Sequence, residues 1–274
     1  MERPRPERLR MTAIDPSLVS LFTVAGKTVL VTGGSRGIGF AVAKGFVRAG
    51  ARVYICSRSA EACEAAAKEL SQYGECHALA ANLGSAEECR SLADRLAERE
   101  SRLDVLVNNA GAIWAEKLEE YPESGWDKVF NLNVKGPFFL VKSLLPLLKA
   151  AASHENPARV ITVGSIDGLH VPSHETYAYS SSKAAVHQLS KHLADQLAPS
   201  SITVNVIAPG MFHSKMLKGT LEERGEEAML APVPLKRFAN DTDMAGTAIF
   251  LASPAGSYIT GAVLPVDGGT ATTL

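Results

Sequence analysis

A tyrosine and a lysine four residues apart, Tyr179 and Lys183, are well suited in type and spacing to proton transfer. Residues at this spacing on an α-helix lie on one face, so both side chains can reach the same cleft. The neighbouring Tyr177 has Ser181 at that offset and gains no cation. A phenol has an ordinary pKa of about 10, which a cation within ~4–6 Å lowers toward neutrality. We therefore expect Tyr179 to exchange a proton with a substrate and Lys183 to lower its pKa.

Ser165 is a second candidate for the same chemistry. It closes the apolar run RVITVGS (159–165), which predicts a strand. Ligands bind outside the carboxyl ends of strands in open α/β sheets, and a hydroxyl there can donate to a carbonyl. Neither the Tyr-x-x-x-Lys spacing nor the upstream serine is specific alone, so the interpretation depends on the elements that position them.

The chain alternates between predicted strands and helices. Short apolar runs predict strands at 27–33, 52–57, 76–83, 103–110, 159–165, 202–208 and 262–269. Helices are predicted at 37–49, 59–73, 85–100, from about Ser124, at 177–197 and at 241–252. Strands without polar alternation are buried on both faces, as in a parallel sheet flanked by helices. The sequence therefore predicts one α/β domain with a doubly wound parallel sheet of about seven strands.

The stretch TGGSRGIG (32–39) joins the first predicted strand to the first helix. Its glycines would let backbone N–H groups approach a pyrophosphate at the positive end of the helix. After the second strand, an acidic residue suits the ribose hydroxyl of NAD, whereas arginine suits a 2′-phosphate. Ser57 and Arg58 stand there, and Arg36 lies in the turn. The pattern favours NADPH over NADH; the alternative is that both arginines are only solvated surface charges.

Composition argues against several other classes of function. The formal charge is −1 and charged residues make up 21% of the chain, so nothing indicates the basic surface of a nucleic-acid-binding protein. The four cysteines form no C-x-x-C pair, which fits a reducing compartment. The sequence has no uninterrupted apolar window of about 18 residues, so it predicts no membrane span. We expect a cytoplasmic protein without a metal, because no carboxylate or cysteine completes a ligand set with His170 and His174.

Six short motifs together resemble, in order and spacing, those of the short-chain dehydrogenase/reductase family: TGGSRGIG, NNAG (108–111), the Asn133 of NLNV, Ser165, YSSSK (179–183) and APG (208–210). The resemblance covers about residues 24–270 and implies a Rossmann fold and an NADP(H)-dependent oxidoreductase. It implies that Tyr179 is the general acid, that Ser165 positions the carbonyl and that Lys183 binds the nicotinamide ribose. Asn133 is implied to support a water-linked proton path.

The same resemblance implies a set of cofactor-binding residues. They are Gly33, Ser35, Arg36, Gly37, Ile38, Gly39, Ser57, Arg58, Asn82, Leu83, Asn109, Ala110, Gly111, Tyr179, Lys183, Pro209, Gly210 and Ser214. Two of these positions depart from the usual family residue. Asn82 stands where aspartate is common, and Ser214 stands where threonine is common.

Three predicted loops offer apolar side chains to one cleft. The candidate substrate residues are Trp114 after NNAG, Ile166, Leu169 and Val171 after Ser165, and Met211, Phe212, Met216 and Leu217 after APG. Methionines suit a pocket that reshapes around apolar chains. We therefore expect an apolar ketone as substrate and interpret residues 211–240 as a mobile helical flap. The alternative is that these side chains only pack the flap onto the domain.

Within the family, YAYSSSKAAVHQLS and NVIAPG look similar to 3-oxoacyl-[acyl-carrier-protein] reductases, especially those of the rhamnolipid-pathway type. An acyl carrier protein is one candidate partner, which could dock on the basic residues of the flap: Lys215, Lys218, Lys236 and Arg237. VDGG (266–269) resembles that of members that form dimers or tetramers, so a homotetramer or homodimer is expected.

Two other functions are alternatives on the same fold. One is a polyol, sugar or secondary-alcohol dehydrogenase, and the other is a non-catalytic nucleotide-binding regulator. The complete set of Asn133, Ser165, Tyr179 and Lys183 argues against the regulator. The arginine-rich start predicts a flexible tail over residues 1–23, followed by the domain over 24–274.

Overall fold

The computed structural model describes residues 15–212 and 225–271. Seven strands in these residues form one parallel sheet with the order β3-β2-β1-β4-β5-β6-β7. They are β1 (Thr28–Thr32), β2 (Arg52–Cys56), β3 (Cys76–Ala78), β4 (Val105–Asn108), β5 (Ala158–Val163), β6 (Ile202–Pro209) and β7 (Val263–Val266). The predicted seven-stranded α/β fold is confirmed.

Helices connect the strands. They are α1 (Pro16–Ser20), α2 (Gly37–Arg48), α3 (Ala60–Leu70), α4 (Ala86–Ala97), α5 (Glu123–Phe130), α6 (Gly136–Ala151), α7 (Tyr177–Leu197), α8 (Glu226–Leu230) and α9 (Asp241–Ala252). A π-helical turn, Asn131–Lys135, joins α5 to α6, and a 3₁₀ turn, Ile166–Gly168, follows β5.

The first strand shows why helices cover both faces of the sheet. Val29 and Val31 belong to the core beneath α2, α3 and α9, whereas Leu30 belongs to the core beneath α4, α6 and α7. Successive side chains of a strand point to opposite faces, so an uninterrupted apolar run requires cover on both sides. Each such buried side chain contributes about 1.5–3 kcal/mol to the free energy of unfolding, and a face left exposed to water would lose that contribution.

Serines at the ends of loops set where two of these helices begin. Ser59 Oγ accepts a hydrogen bond from Ala62 N at 3.2 Å before α3, and Ser85 Oγ accepts one from Glu88 N at 3.2 Å before α4. These bonds satisfy N–H groups that have no partner within the helix, and such a cap contributes about 1 kcal/mol.

The strand order reverses at β1. This strand pairs with β2 on one side and with β4 on the other. Because the chain leaves the carboxyl ends of β1 and β4 toward opposite faces of the sheet, a crevice opens between the loops that follow them. The fold therefore places a ligand site above the carboxyl ends of the central strands.

The amino-terminal residues differ from the predicted tail. Asp15 caps α1 by accepting from Ser17 N at 2.9 Å, and Leu21 O accepts the Ala255 N–H at 2.8 Å. Leu21 therefore contacts the domain that was predicted to begin at residue 24. Residues 1–14 lie outside the described part of the chain.

The segment predicted as a flap is described at 211–212 and 225–240. It contains α8, and Ala239 N donates to Met211 O at 2.9 Å beside a bridge between Phe212 and Ala239. This contact holds the two ends of the segment together, while the motion of the segment stays a prediction.

Among residues 15–212 and 225–271, no helix combines the length and apolar character that crossing a membrane requires.

Candidate active site

A large cleft lies along the carboxyl ends of β1, β4, β5 and β6. Its volume is ≈ 2360 Å³, more than twice the upper end of the ~300–1,000 Å³ of ordinary small-molecule pockets. The glycine turn after β1 and the group Ser165, Tyr179 and Lys183 both line it. The cleft therefore has room for a dinucleotide together with a substrate.

The glycine turn is built for close approach by a ligand. Gly33 has a φ of +66°, a left-handed conformation that favours glycine. Gly39 packs directly against the Gly33 carbonyl, where a Cβ atom would overlap it. No side chain caps α2 at Arg36, so the N–H groups of its first turn suit an anionic ligand. These features fit the pyrophosphate of a dinucleotide.

The NNAG motif holds this turn in place from the neighbouring strand. Thr32 Oγ1 accepts the backbone N–H groups of Asn109 and Ala110, both at 2.9 Å. The Asn109 side chain donates to Thr32 O at 2.8 Å and to Gly33 O at 3.3 Å. Asn109 therefore fixes the glycine turn as well as lining the cleft.

Most of the predicted cofactor residues converge on this cleft. Its lining includes Gly33, Ser35, Arg36, Gly37, Ile38, Ser57, Arg58, Leu83, Asn109, Ala110, Gly111, Tyr179, Lys183, Pro209 and Gly210. Gly39 is buried beneath the turn, and Asn82 is exposed outside the lining, which Ala81 and Leu83 form on either side of it. Ser214 lies outside the described residues.

Two arginines give one end of the cleft a positive charge. Arg36 and Arg58 are exposed and line the cleft, and neither forms an ion pair with a residue of the described ranges. Arg58 lies two residues after the end of β2, directly before the Ser59 cap of α3. An arginine at this position suits a ribose 2′-phosphate.

Replacing Arg58 by alanine should raise the dissociation constant of NADPH by about tenfold or more and change that of NADH little, because a charge-assisted hydrogen bond contributes about 1.5–3 kcal/mol. Fluorescence titration of both dinucleotides measures this difference. Arg36→Ala should act in the same direction, and Arg99→Ala, an exposed change outside the cleft, is the control. Equal losses for NADPH and NADH would contradict the assignment.

Ser165 lies where β5 leaves the sheet. Its Oγ accepts the Asp167 N–H at 3.1 Å, which orients the hydroxyl at the start of the 3₁₀ turn. Its side chain also hydrogen-bonds that of Tyr179. Its backbone N–H donates to Nε2 of His187 at 3.4 Å. Because its oxygen accepts from Asp167, the Ser165 hydroxyl can donate its proton within the cleft, and in the free protein it donates to Tyr179.

Lys183 and Tyr179 lie together on α7. The Lys183 ammonium is 5.5 Å from the centre of the Tyr179 ring, and it donates to Val163 O at 2.8 Å at the end of β5. Burial lowers the pKa of Lys183 to about 8, an effect that the nearby Asp167 carboxylate opposes. The lysine thus remains largely charged at neutral pH.

The protonation of Tyr179 depends on the groups that surround it. Burial, followed by the charge of Asp167, raises the pKa of Tyr179 to about 12, although the hydrogen bond from Ser165 opposes this. In the cofactor-free protein, loss of solvent outweighs the favourable contacts of the phenol. Tyr179 is consequently a neutral phenol that holds a proton to donate. The lowering of this pKa by Lys183 with a bound nicotinamide stays a prediction.

Asn133 lies in the π-helical turn and uses its side chain to join two elements. Its Oδ1 accepts the Ala112 N–H at 2.8 Å, and its Nδ2 donates to Ala112 O and to Ser182 Oγ, both at 2.9 Å. Ser182 Oγ in turn donates to Tyr179 O at 2.7 Å. These contacts link the loop after β4 to the helix of the catalytic candidates; the water-linked proton path stays a prediction.

Sequence reasoning missed Asp167, which lines the cleft two residues after Ser165. Burial raises the pKa of its carboxyl group, and His170, His174 and Lys183 oppose that shift. An acid so close to the candidate serine was the available signal. No group of histidine, cysteine and acidic side chains in the described ranges is arranged to hold a metal ion.

The predicted substrate residues divide into those inside and those outside the cleft. Ile166, Val171, Met211 and Phe212 line it, with Met229 and Pro232 from the segment around α8. Trp114 packs instead against Gly125, where a Cβ would lie 2.8 Å from the indole, and Leu169 is exposed outside the lining. Ile113 and Ala115, on either side of the tryptophan, line the cleft. Met216 and Leu217 lie outside the described residues.

Comparison with known protein families gives a match to this architecture over most of the chain. The family model described as enoyl-(acyl carrier protein) reductase matches residues 33–271. This range begins in the glycine turn and includes Ser165, Tyr179 and Lys183.

Individual relatives cover nearly the whole chain. The chain is 51% identical over 249 residues to the rhamnolipids biosynthesis 3-oxoacyl-[acyl-carrier-protein] reductase of Pseudomonas aeruginosa, covering 90% of this chain and 97% of that protein. It is 35% identical over 256 residues to the 2-dehydro-3-deoxy-D-gluconate 5-dehydrogenase of Bacillus subtilis, with 90% and 96% covered. A solved structure, the Pseudomonas aeruginosa RhlG/NADP active-site complex, superposes with a TM-score of 0.90 at 50% identity, covering 92% of this chain and 99% of that one.

Proposed function

This chain belongs to the short-chain dehydrogenase/reductase family, and we propose that it uses NADPH to reduce the ketone of apolar 3-oxoacyl thioesters. The observation that carries this proposal is the half-buried, neutral phenol of Tyr179, which contacts the Ser165 side chain in a cleft shared with the glycine turn. A protonated phenol suits reduction, which requires a proton donor, better than it suits alcohol oxidation, which requires a base.

The residues divide the work of this reaction. When bound, NADPH supplies the hydride. The Ser165 hydroxyl donates a hydrogen bond to the substrate carbonyl oxygen and holds it beside Tyr179. Tyr179 gives that oxygen its proton, and the Lys183 ammonium, 5.5 Å from the ring centre, stabilises the phenolate that forms. The glycine turn holds the pyrophosphate, and Arg36 and Arg58 bind the 2′-phosphate.

The substrate class follows from the side chains near this centre. Ile166, Met211 and Phe212 give the cleft an apolar wall beside the catalytic group. Asp167 is an acid in the same region, and it disfavours substrates that carry a second carboxylate there. The name of the Pseudomonas relative supports the same class, since its 51% identity extends over almost the entire domain.

We expect kcat/KM to rise along a series of 3-oxo esters and thioesters as methylenes are added, by up to about 0.8 kcal/mol for each one buried. NADPH consumption measured with the purified protein tests this, with 3-oxoacyl groups on coenzyme A and on acyl carrier protein as two arms. Deoxy-gluconate ketones, the compound class in the name of the Bacillus relative, form the comparison set. Efficient reduction of those acids with a flat or falling ester series would identify a sugar-acid dehydrogenase instead.

The proposal extends to assembly and location. A homotetramer or homodimer is proposed, and the exposed aromatic side chains of Trp126 on α5 and Phe138 on α6 offer apolar surface for such an interface. All four cysteines are free and buried, which suits the reducing cytoplasm. Carrier-protein docking has weaker support, because Arg237 is paired with Asp243 at 2.6 Å and Lys236 donates to Ala231 O.

A further inference from the structure

His187 lies on the same face of α7 as the catalytic pair, one turn beyond Lys183. Only 5% of its surface is exposed. The reaction described above gives it no role, and it does not line the cleft. A buried imidazole beside a catalytic group therefore needs its own explanation.

The ring is enclosed by the backbone on either side of Ser165. A Cβ atom added at Gly164 would lie 2.8 Å from Cδ2 of the ring, and one added at Gly168 would lie 2.8 Å from Cε1. The Ser165 N–H, just beyond the last residue of β5, donates to Nε2 at 3.4 Å. The neighbouring Gly164 N–H still donates to Ile207 O of the sheet at 2.7 Å. At Ser165 the acceptor of the backbone N–H is therefore Nε2 of His187, whereas at Gly164 it is a carbonyl of the sheet.

This contact defines the tautomer of the ring. Burial lowers the pKa of His187 to about 4, and the charges of Lys183 and Lys191 add to the effect. The ring is therefore neutral, and because Nε2 accepts, Nδ1 carries the hydrogen. Nδ1 is buried and finds no partner among residues 15–212 and 225–271. An unpaired buried donor destabilises a protein, so an apolar side chain would be the more stable choice unless the acceptor at Nε2 is needed.

We propose that His187 is a positioning residue for ketone reduction, which acts through the Ser165 backbone. Its Nε2 holds the Ser165 N–H, and the Asp167 N–H holds Ser165 Oγ at 3.1 Å. With both ends of the serine fixed, its hydroxyl proton is directed at the substrate carbonyl. This role deepens the function proposed above and depends on it.

Two variants distinguish the loss of the Nε2 acceptor from the loss of the ring itself. In His187→Met a weak sulfur acceptor replaces Nε2, whereas the side-chain oxygen of His187→Gln preserves a strong one. We expect kcat to fall by about tenfold in His187→Met, since misplacing a catalytic group by ~1 Å can lower the reaction rate by ~10²-fold. His187→Gln should recover most of that loss. In both variants the dissociation constant of NADPH should stay within about twofold of the wild-type value, because changes at independent sites have little effect on one another.

A double-mutant cycle tests whether the effect passes through Ser165. In a Ser165→Ala background, His187→Met should change kcat by less than about twofold, because the hydroxyl that His187 positions is gone. The same tenfold loss in that background, a wild-type kcat in His187→Met, or an inactive His187→Gln with normal NADPH affinity would each overturn the proposal. If the wild-type protein reduces no ketone, that result contradicts the proposed function itself. The double-mutant cycle tests only the role of His187 and is interpreted when the wild-type protein is active.

A spectroscopic test on the wild-type protein does not depend on activity. Nitrogen-15 spectra of the histidine rings should show one imidazole that stays neutral to about pH 4 and carries its hydrogen on Nδ1. That signal should disappear in both variants. A ring that carries its hydrogen on Nε2, or that protonates near its ordinary pKa, would contradict the acceptor role.

Discussion

Replacing Tyr179 by phenylalanine should reduce kcat for ketone reduction by about 10²–10⁴-fold while the fold and NADPH affinity are retained, because only the proposed general acid is removed. The phenol is half-buried and contacts Ser165, and its pKa of about 12 keeps it protonated throughout the neutral range. The ring itself, which packs 5.5 Å from the Lys183 ammonium, is kept in the variant. Steady-state kinetics with saturating NADPH measure the loss, and fluorescence titration measures NADPH affinity.

Tyr177→Phe is the matched control for this variant. Tyr177 lies two residues earlier on α7, is 37% exposed and packs edge-on against Tyr121 with ring centres 5.8 Å apart. Its loss of a hydroxyl should change kcat by no more than about twofold, as for surface changes away from the site. If Tyr179→Phe retained a substantial part of the wild-type kcat, or if Tyr177→Phe lost as much, Tyr179 would not be the acid.

Replacing Lys183 by methionine should lower kcat by about 10²-fold or more, comparable with the removal of another group that stabilises developing negative charge. The ammonium is placed to stabilise the phenolate of Tyr179, and the thioether of methionine cannot do so. NADPH affinity should fall as well, since the family resemblance assigns Lys183 to the nicotinamide ribose. Kinetics at saturating NADPH separate the two effects.

The same variant should change how stability depends on pH. The pKa of Lys183 is about 8 in the folded protein, below its ordinary value of 10.5. Between these two values the unfolded chain binds more protons at this residue, so wild-type stability gains with rising pH through that window. Thermal unfolding should show wild type becoming more stable relative to Lys183→Met from pH 8 to pH 10.5. A stability difference that stays constant across this range would contradict the depressed pKa.

The fold could be predicted because its signals are local. The uninterrupted apolar run of β1 requires cover on both faces, and TGGSRGIG ends a strand and begins a helix within eight residues. Tyr179 and Lys183 were predictable as a pair because helical spacing fixes which side chains share a face. The structure and the relatives confirm the parallel sheet and the family.

Features that depend on packing between distant segments could not be predicted. Trp114 follows NNAG closely, yet it turns toward Gly125 of α5, and Ile113 and Ala115 line the cleft instead. The raised pKa of Tyr179 depends on burial and on Asp167, neither of which follows from spacing. His187 shares the periodicity of the catalytic pair, but its contact with the Ser165 N–H depends on how β5 meets α7.

Transfer of deuterium from NADPH that carries deuterium at both hydrogens of the nicotinamide C4 tests the central claim most directly. After incubation with a 3-oxoacyl thioester, the product should carry one deuterium on its β-carbon, detected by mass spectrometry, and NADPH oxidation should match product formation. Tyr179→Phe should yield almost no labelled product, and labelled NADH should transfer more slowly. Oxidation of NADPH without label in the product, or label transfer only to sugar-acid ketones, would contradict the account.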